Sequence, residues 1–482
     1  MLLSCTLWMV TAATLPNAGP PPLSTKEPPK STLSPLVHKP LIEALTLSYD
    51  ELFDQAATLE FSQHQLDRMR EFFKESESYC TSNFGMEAKR LDHEIRDAQS
   101  ELDRRGHSLS DSERKEIHCR IQTARLLEAR AKMLSKHAVP VAYQNRRAKL
   151  EIIEKWPAEL THIKESIRTG EYANRKYGNV KDIGFRDIAP GQEKDVKMGR
   201  ETIEEMKMAG MFPREIDDRE IQAYVLDLAS RIAAKSDLRV PLKTTLLDSP
   251  EINAFALPGG YLYVQRGLLE AVEDEAQLAG VLAHELSHVT ARHGHKLMRK
   301  ATIASIIYQA AQVTAIILTG GVAGIGTYYA IQYGFYGLGL VLSLDLLGVS
   351  RDYELEADQL GVQYMWNAGY DPSGFTRFFD RMATKEGYAN GVSWFRTHPP
   401  FYDRMVHTRR EIMYLPAKDA TIRTTTRFDE MKKRLGPVAA RAKEIESRKP
   451  TLTLPEKDCP KPKLPEYEPG QRIETVCSIP EP

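Results

Sequence analysis

Apolar residues between Leu41 and about Arg168 recur at helical spacing. One series follows alternating steps of four and three residues, the spacing of a coiled-coil seam: Phe84, Ala88, Leu91, Ile95, Ala98 and Leu102. Gly106 interrupts this pattern, and Ser110 with Glu113 then makes a capping box for a second helix. The pattern predicts a helical hairpin. Its function is either that of a partner-binding or substrate-gating arm or that of a solvated appendage.

From Ile188 onwards the pattern becomes mixed. Residues 217–236 predict an amphipathic helix, and residues 274–300 predict another. Thr244–Leu247 and Tyr261–Gln265 have the composition of short strands. We therefore expect an α+β fold that is mainly α-helical, with one small β-sheet.

These changes in pattern divide the chain into successive segments. We predict a signal or lipoprotein segment at 1–18, a Pro-rich linker at 19–40, a helical extension at 41–187, the main α+β domain at 188–414 with an apolar insert at 301–344, and a polar, Pro-rich tail at 415–482.

Charge and composition narrow the class of protein. The 482 residues include 65 Lys+Arg and 66 Asp+Glu, so there is no basic excess that would predict a nucleic-acid partner. Residues 1–18 carry no charged side chain, which favours export to the cell envelope. Three alternatives are a secretory signal that lacks its basic region, a truncated lipoprotein signal with Cys5 as the lipidated residue, and a frayed apolar N-terminus.

Five cysteines bear on the redox compartment. Cys459 and Cys477 lie in the Pro-rich tail, where a disulfide would act as a staple in an oxidising compartment. A bond between Cys80 and Cys119 is disfavoured, because a hairpin that turns at residues 106–110 places Cys119 opposite about residue 97.

The motif His284-Glu285-Leu286-Ser287-His288 lies in good helix-forming sequence. Residues four apart share one helix face, so both imidazoles can bind the same metal ion. Glu285 lies beside the first histidine and can accept a proton from a metal-bound water. The alternative is a buried helix with two unrelated histidines.

A second helical segment, residues 350–361, offers carboxylates. Glu354 and Asp358 share a face. Glu354 is the candidate third metal ligand, and Asp358 can accept a hydrogen bond from a ligating imidazole. Glu356 lies on a different face and is excluded as a ligand. The alternative is an exposed acidic helix face.

Three motifs in this order resemble the CAAX-prenyl-protease-type zinc metallopeptidases, the HtpX-like and Ste24-like gluzincins, which include soluble periplasmic members. They are Asn253–Gly260, the HELSH motif at 284–288 and ELEAD at 354–358. The similarity covers roughly residues 188–414. It implies one zinc ion per chain, with ligands His284, His288 and Glu354, Glu285 as catalytic base and Asp358 as a carboxylate behind the ligands.

The same resemblance suggests further site residues. Asn253, Ala254 and Phe255 correspond to a strand beside the catalytic helix, whose edge can pair with an extended substrate. His398, in an Arg-Thr-His-Pro-Pro sequence, either stabilises the oxyanion or fills the open zinc position in a resting form. Arg404 is expected to pack nearby and pair with a carboxylate. By their spacing, His293 and His295 are predicted to be helix-surface residues.

Residues 301–344 contain no Asp, Glu, Lys, Arg or His. Because His288 and Glu354 must meet at one zinc, this segment crosses a membrane an even number of times or not at all. Three alternatives remain: a membrane-associated plate or re-entrant hairpin, two true spans, and a buried soluble core.

The leading functional hypothesis is an exported zinc metalloendopeptidase that acts on protein or peptide substrates. The family resemblance implies misfolded or unassembled envelope proteins as its substrates and a membrane association. The alternative is a chaperone-like or scaffolding envelope protein with a structural zinc. A third hypothesis, a prenyl-protein protease, is disfavoured by the small number of apolar segments.

Overall fold

A computed structural model of the protein describes residues 35–208, 213–298, 351–384, 398, 401–448 and 459. The predictions for residues 1–18, for the insert 301–344 and for Cys477 lie outside this part of the chain. Among the described residues, no helix combines the length and the apolar character needed to span a membrane.

The N-terminal part is a series of five helices. They are α1 (Pro35–Thr46), α2 (Tyr49–Gln55), α3 (Gln63–Arg105), α4 (Asp111–Met133) and α5 (Val139–Thr169). A π-helical turn, Leu134–Ala138, joins α4 to α5, and short 3₁₀ turns lie at Ala56–Thr58 and Glu171–Asn174.

Helices α3 and α4 form the predicted hairpin. Leu91, Ile95 and Ala98 on α3 are buried in a cluster with residues of α4. Ser110 and Glu113 form the expected capping box, with the Ser110 amide donating to the Glu113 carboxylate at 2.8 Å. The apolar seam is therefore the surface along which the two helices pack.

The base of this extension is part of the main core. Helix α5 packs against a later helix, Tyr402–Tyr414, and Trp156 shares one continuous apolar cluster with Phe378 and Met405. The Trp156 indole also donates to the Phe53 carbonyl at 2.9 Å. The hypothesis of a solvated appendage therefore fits only the end of the hairpin that is distant from the main core.

The described residues after Asn174 form three strands and nine further α-helices. They are α6 (Asp195–Met208), α7 (Arg219–Ala233), β1 (Lys243–Leu247), β2 (Ala254–Leu257), β3 (Tyr261–Gln265), α8 (Arg266–Ala271), α9 (Glu275–Thr290), α10 (His293–Met298), α11 (Arg351–Asn367), α12 (Gly374–Thr384), α13 (Tyr402–Tyr414) and α14 (Thr426–Arg448).

The strands form one small mixed sheet of order β1-β3-β2. Strand β1 runs parallel to the central strand β3, and β2 runs antiparallel to it, with Phe255 opposite Tyr263. Within the described residues β2 is an edge strand, and it packs against α9. The α+β class and the predominance of helix are confirmed.

The prediction of one helix over residues 274–300 is wrong. Helix α9 ends at Thr290, and α10 begins at His293. Between them Arg292 has a φ of 55°, in the left-handed region, which redirects the chain. Its guanidinium forms two 2.7 Å hydrogen bonds to the Asp195 carboxylate, and this tertiary contact holds the break in place.

Helix α14 was not predicted, although it lies within the segment expected to be a polar tail. Phe428, Met431 and Leu435 are spaced three and four residues apart and are buried. They belong to the main core, and α14 packs on α7 and α8. The helical spacing was present in the sequence but was obscured by the surrounding charged residues.

The prediction of a Cys459–Cys477 disulfide is also wrong. Cys459 is bonded to Cys119 on α4, with the Cα atoms 5.3 Å apart. The bond joins positions 340 residues apart in the sequence, so spacing alone gave no indication of it. Cys119 does not pair with Cys80, as expected from the hairpin turn.

Candidate metal centre

Helix α9, in which every residue except His288 is buried, carries the His-Glu-x-x-His motif. It begins at the N-cap Asp274, whose carboxylate accepts a 2.8 Å hydrogen bond from the Gln277 amide. His284 is fully buried, and His288 lies one turn later on the same face with 13% of its side chain exposed. Their Nε2 atoms are 3.1 Å apart.

Helix α11 lies directly against α9 and supplies the carboxylates. Glu354 Oε2 is 3.5 Å from His284 Nε2, and Glu354 Oε1 is 3.3 Å from His288 Nε2. Gly361 permits this approach, because a Cβ there would be 3.0 Å from the His284 backbone nitrogen. The structure therefore brings the three predicted ligands together.

His398 completes this group of side chains. Its Nδ1 is 3.2 Å from His284 Nε2 and 2.9 Å from Glu354 Oε2. One ligand atom from each of the four residues lies within 4.8 Å of the others. The side chain is buried, with 6% of the residue exposed.

The donor set fits a zinc ion. Donors around a tetrahedral zinc at about 2.0–2.1 Å are separated by roughly 3.3 Å, close to the measured separations of 2.9–3.5 Å. Two imidazoles and a carboxylate are also the ligand types that zinc prefers. A cation between the two bare Nε2 lone pairs would remove their mutual repulsion.

The first histidine is oriented by a carboxylate behind it. His284 Nδ1 is 2.9 Å from Asp358 Oδ1, so it donates there and leaves Nε2 free as a lone pair. Arg404 holds Asp358 with two hydrogen bonds, of 2.6 and 2.9 Å, and pairs with Glu354 at 2.8 Å. The expected pairing of Arg404 with a carboxylate is confirmed.

Glu285 lies beside the donor group. Its Oε1 is 3.4 Å from His398 Nε2, and the Ala256 amide of β2 donates a hydrogen bond to its carboxylate. Burial raises the pKa of this carboxyl to about 8, an increase opposed by the charge of His284. The Ala256 amide therefore holds the Glu285 carboxyl group next to the four candidate metal donors.

The three residues predicted to bind substrate are buried on and before β2. Asn253, Ala254 and Phe255 are at most 3% exposed. Gln265 donates to the Asn253 carbonyl at 3.1 Å, so in this antiparallel pair residues 253, 255 and 257 face β3. The backbone groups of Ala254 and Ala256 therefore face away from β3.

The prediction that His293 lies on the helix surface is wrong. Only 1% of its side chain is exposed, and its Nδ1 is 2.9 Å from Nδ1 of His288. The turn at Arg292 directs it inward, which the assumption of one continuous helix could not reveal. His295 is 22% exposed and pairs with Asp195, and Glu356 lies outside the donor group as expected.

The comparison with protein families bears directly on this arrangement. Residues 215–412 match the family model described as peptidase family M48. This part of the chain, called the M48 domain below, is similar to M48 metallopeptidases. The match confirms the resemblance predicted from the sequence and the zinc cofactor that it implies.

Several curated proteins are similar over the same domain. A beta-barrel assembly-enhancing protease of Yersinia pestis is 29% identical over 211 residues, 41% of each chain. One of Escherichia coli K12 is 26% identical over 221 residues, 43% of each chain. The mitochondrial metalloendopeptidase OMA1 of Schizosaccharomyces pombe is 33% identical over 181 residues, 36% of this chain and 48% of that protein. The matched part is thus less than half the length of these relatives.

Proposed function

We propose that the protein is a zinc-dependent metalloendopeptidase that hydrolyses peptide bonds in other proteins. The observation that supports this most directly is the position of Glu285. Its carboxylate lies at the edge of a four-donor metal group, held by the Ala256 amide. A purely structural zinc site has no need of such a base.

In this proposal His284, His288 and Glu354 bind the zinc. When bound, zinc polarises the scissile carbonyl and lowers the pKa of a water molecule. Asp358 and Arg404 keep His284 in the ligating tautomer. Glu285 accepts the proton of the attacking water and passes it to the leaving amine.

The outward-facing edge of β2 would bind the substrate backbone. The carbonyls of Ala254 and Ala256 point away from β3, so an extended peptide beside β2 can donate to them. The Ala254 amide itself donates to Asn253 Oδ1 at 2.9 Å. Because Ala256 also contacts Glu285, a peptide bound there would have its backbone next to the base. The side chains of Asn253 and Phe255 would then support the strand from within the core.

His398 would take the fourth donor position in a resting form. Its Nδ1 is as close to Glu354 and His284 as these ligands are to each other. A water or a substrate carbonyl needs that position for hydrolysis. His398 must therefore leave it before each reaction.

For the substrates we infer unassembled or misfolded proteins of a cell envelope. The proposal is supported by the relatives named as beta-barrel assembly-enhancing proteases. The Cys119–Cys459 disulfide favours an oxidising compartment such as a periplasm. Membrane association through residues 301–344 and lipidation of Cys5 stay predictions.

The test compares the wild type with Glu285→Gln. We expect both proteins to bind about one zinc per chain and only the wild type to cleave casein. Loss of the base should reduce the rate on the order of 10²- to 10⁴-fold. The control is Glu201→Gln on α6. The Glu201 carboxylate pairs with Lys197 and is half exposed, so this variant should retain full activity.

Two other results would contradict the proposal. If the wild type and Glu285→Gln both bind zinc and neither cleaves casein, the scaffold hypothesis is supported. If neither protein binds zinc, the ligand assignment is wrong.

A further inference from the structure

A chain of hydrogen bonds leads away from the second histidine of the motif. His288 Nδ1 is 2.9 Å from His293 Nδ1, and His293 Nε2 is 3.1 Å from Glu356 Oε2. Glu356 Oε1 in turn accepts from Tyr177 Oη and Lys176 Nζ, both at 2.7 Å. The chain of contacts therefore runs from the metal group to a turn that precedes the M48 domain.

The donor and the acceptor of each hydrogen bond can be assigned by starting from Glu356, at the end of the chain that is distant from the metal group. Glu356 Oε1 accepts from the Lys176 ammonium and the Tyr177 hydroxyl, so its carboxylate is the acceptor at the end of the chain. His293 must then donate from Nε2, and its Nδ1 is left as an acceptor. His288 donates to that atom from Nδ1, which leaves its own Nε2 as the bare lone pair that faces Glu354.

Packing holds the His293 ring in this orientation, since only 1% of its side chain is exposed. Its ring also stacks on Tyr353, with centroids 4.4 Å apart and planes at 13°. His284 reaches its carboxylate Asp358 directly, whereas His288 reaches Glu356 through this second imidazole.

The turn that carries Lys176 and Tyr177 is hydrogen-bonded to α11. The Tyr177 carbonyl accepts from Gln363 Nε2 at 2.9 Å, and the Lys176 carbonyl accepts from Gln359 Nε2 at 2.8 Å. Tyr177 has a φ of 57°, a conformation uncommon for a non-glycine residue. Such a conformation persists only when surrounding contacts hold it.

We propose that His293 and Glu356 are positioning residues that keep His288 in its metal-binding tautomer, and that Tyr177 and Lys176 orient this relay from outside the M48 domain. The proposal rests on the zinc site of the proposed function. It assigns a role to a segment outside residues 215–412, the range of the family match.

The test is zinc affinity, measured by competition with a chelator, so that proteolysis is not the readout. His293→Asn keeps an acceptor oxygen near the position of Nδ1 but loses the stacked ring. His293→Phe keeps the ring on Tyr353 but removes both nitrogens. We expect His293→Phe to bind zinc 10- to 100-fold more weakly than the wild type, and His293→Asn to stay within a few-fold.

A purely structural role for His293 predicts the reverse order, because Phe preserves the packing that Asn loses. The relay would therefore be overturned if His293→Asn bound zinc as weakly as His293→Phe, or more weakly. The absorption bands of the cobalt-substituted proteins give a second readout. They should shift in His293→Phe, where the tautomer of His288 is released, and change little in His293→Asn.

The upstream contact is tested with Tyr177→Phe. We expect a loss of zinc affinity of about threefold or more, within the range for groups behind metal ligands. Tyr172→Phe is the matched control in the preceding turn, where the ring stacks on Tyr414 at 5.3 Å, and it should bind like the wild type. Identical affinities for the two variants would overturn the role of the upstream turn.

Failure of this inference and failure of the proposed function give different results. If the wild type binds no zinc, both are wrong. If the wild type binds zinc and cleaves casein but the His293 variants do not differ in the expected order, only the relay is wrong.

Discussion

Arg404 is the residue on which the charge balance of the metal group depends. Two fully buried carboxylates, Glu354 and Asp358, lie four residues apart on α11 and would repel each other in the low dielectric of the core. The guanidinium of Arg404 contacts both and is itself fully buried. Since it cannot lose its proton, it keeps both carboxylates available as acceptors.

At the residue scale, the position of His398 leads to a prediction. His398→Ala should weaken zinc binding, because a fourth donor is lost, and should raise the casein cleavage rate per bound zinc. If the resting form is favoured by about 1.4 kcal/mol, its removal raises the rate roughly tenfold. The measurement is initial rate at saturating zinc.

His407→Ala is the control for this prediction, since His407 lies on α13 outside the donor group. A cleavage rate for His398→Ala below that of the wild type would contradict the resting-form role. It would instead favour the alternative in which His398 stabilises the oxyanion.

At the scale of elements, the distance between α9 and α11 determines whether a site exists. These helices carry all three proposed ligands, and at Gly361 an added Cβ would lie 3.0 Å from the His284 backbone nitrogen. Neither helix contains a metal site by itself. The packing of one against the other therefore converts two motifs into one donor group.

Gly361→Ala should disturb that packing. The added Cβ would meet three backbone atoms of α9 at 3.0–3.2 Å, and overpacking of this kind costs about 1–3 kcal/mol. We expect a lower melting temperature together with weaker zinc binding. Thermal unfolding with and without zinc checks both effects.

Gly85→Ala provides the matched comparison. Gly85 lies within α3, and beyond its own stretch of helix an added Cβ would make only an ordinary van der Waals contact, 3.7 Å from Ser135 Oγ. Alanine should stabilise this helix by roughly 0.5–1 kcal/mol without changing zinc affinity. A loss of stability in both variants would show that the effect at Gly361 does not come from the approach of the two helices.

At the scale of the whole molecule, the helical extension and the M48 domain are joined by a buried polar contact. Lys149 on α5 pairs with Asp380 on α12 at 3.9 Å, and the Tyr49 amide donates to Asp380 at 2.8 Å. Burial raises the pKa of Asp380 to about 7, opposed by Lys149 and increased by Asp50 and Glu51. We therefore expect the stability of this junction to depend on pH.

The sign of the pH effect follows from the raised pKa. Between about pH 4, the range of an unfolded carboxyl, and pH 7, the folded state binds more protons than the unfolded state. The contribution of Asp380 to stability is complete below this range and is lost as the pH rises through 7. We expect Asp380→Asn to remove this decline.

The measurement is urea unfolding of the wild type and Asp380→Asn at pH 5 and pH 7.5. The difference in unfolding free energy between the two proteins should depend on pH, because other groups contribute equally to both. Asp54→Asn, on the largely exposed carboxylate that pairs with Arg409, is the control. A pH-independent difference would contradict the assignment.

The sequence by itself was sufficient for the local features of this protein. Helical spacing predicted the α3–α4 hairpin, and the capping box at Ser110 follows from side-chain chemistry within four residues. The His-Glu-x-x-His motif and the acidic motif of α11 predicted three residues of the donor group, because spacing along a helix determines which residues share a face. The family similarity then indicated zinc.

Only the tertiary structure decided the features that join distant parts of the chain. The inward turn of His293 depends on the contact between Arg292 and Asp195, 97 residues earlier. The Cys119–Cys459 bond and the placement of Tyr177 behind Glu356 likewise join residues far apart in sequence. Periodicity reports the face of a helix, but the partner of that face is determined by packing, which no local pattern encodes.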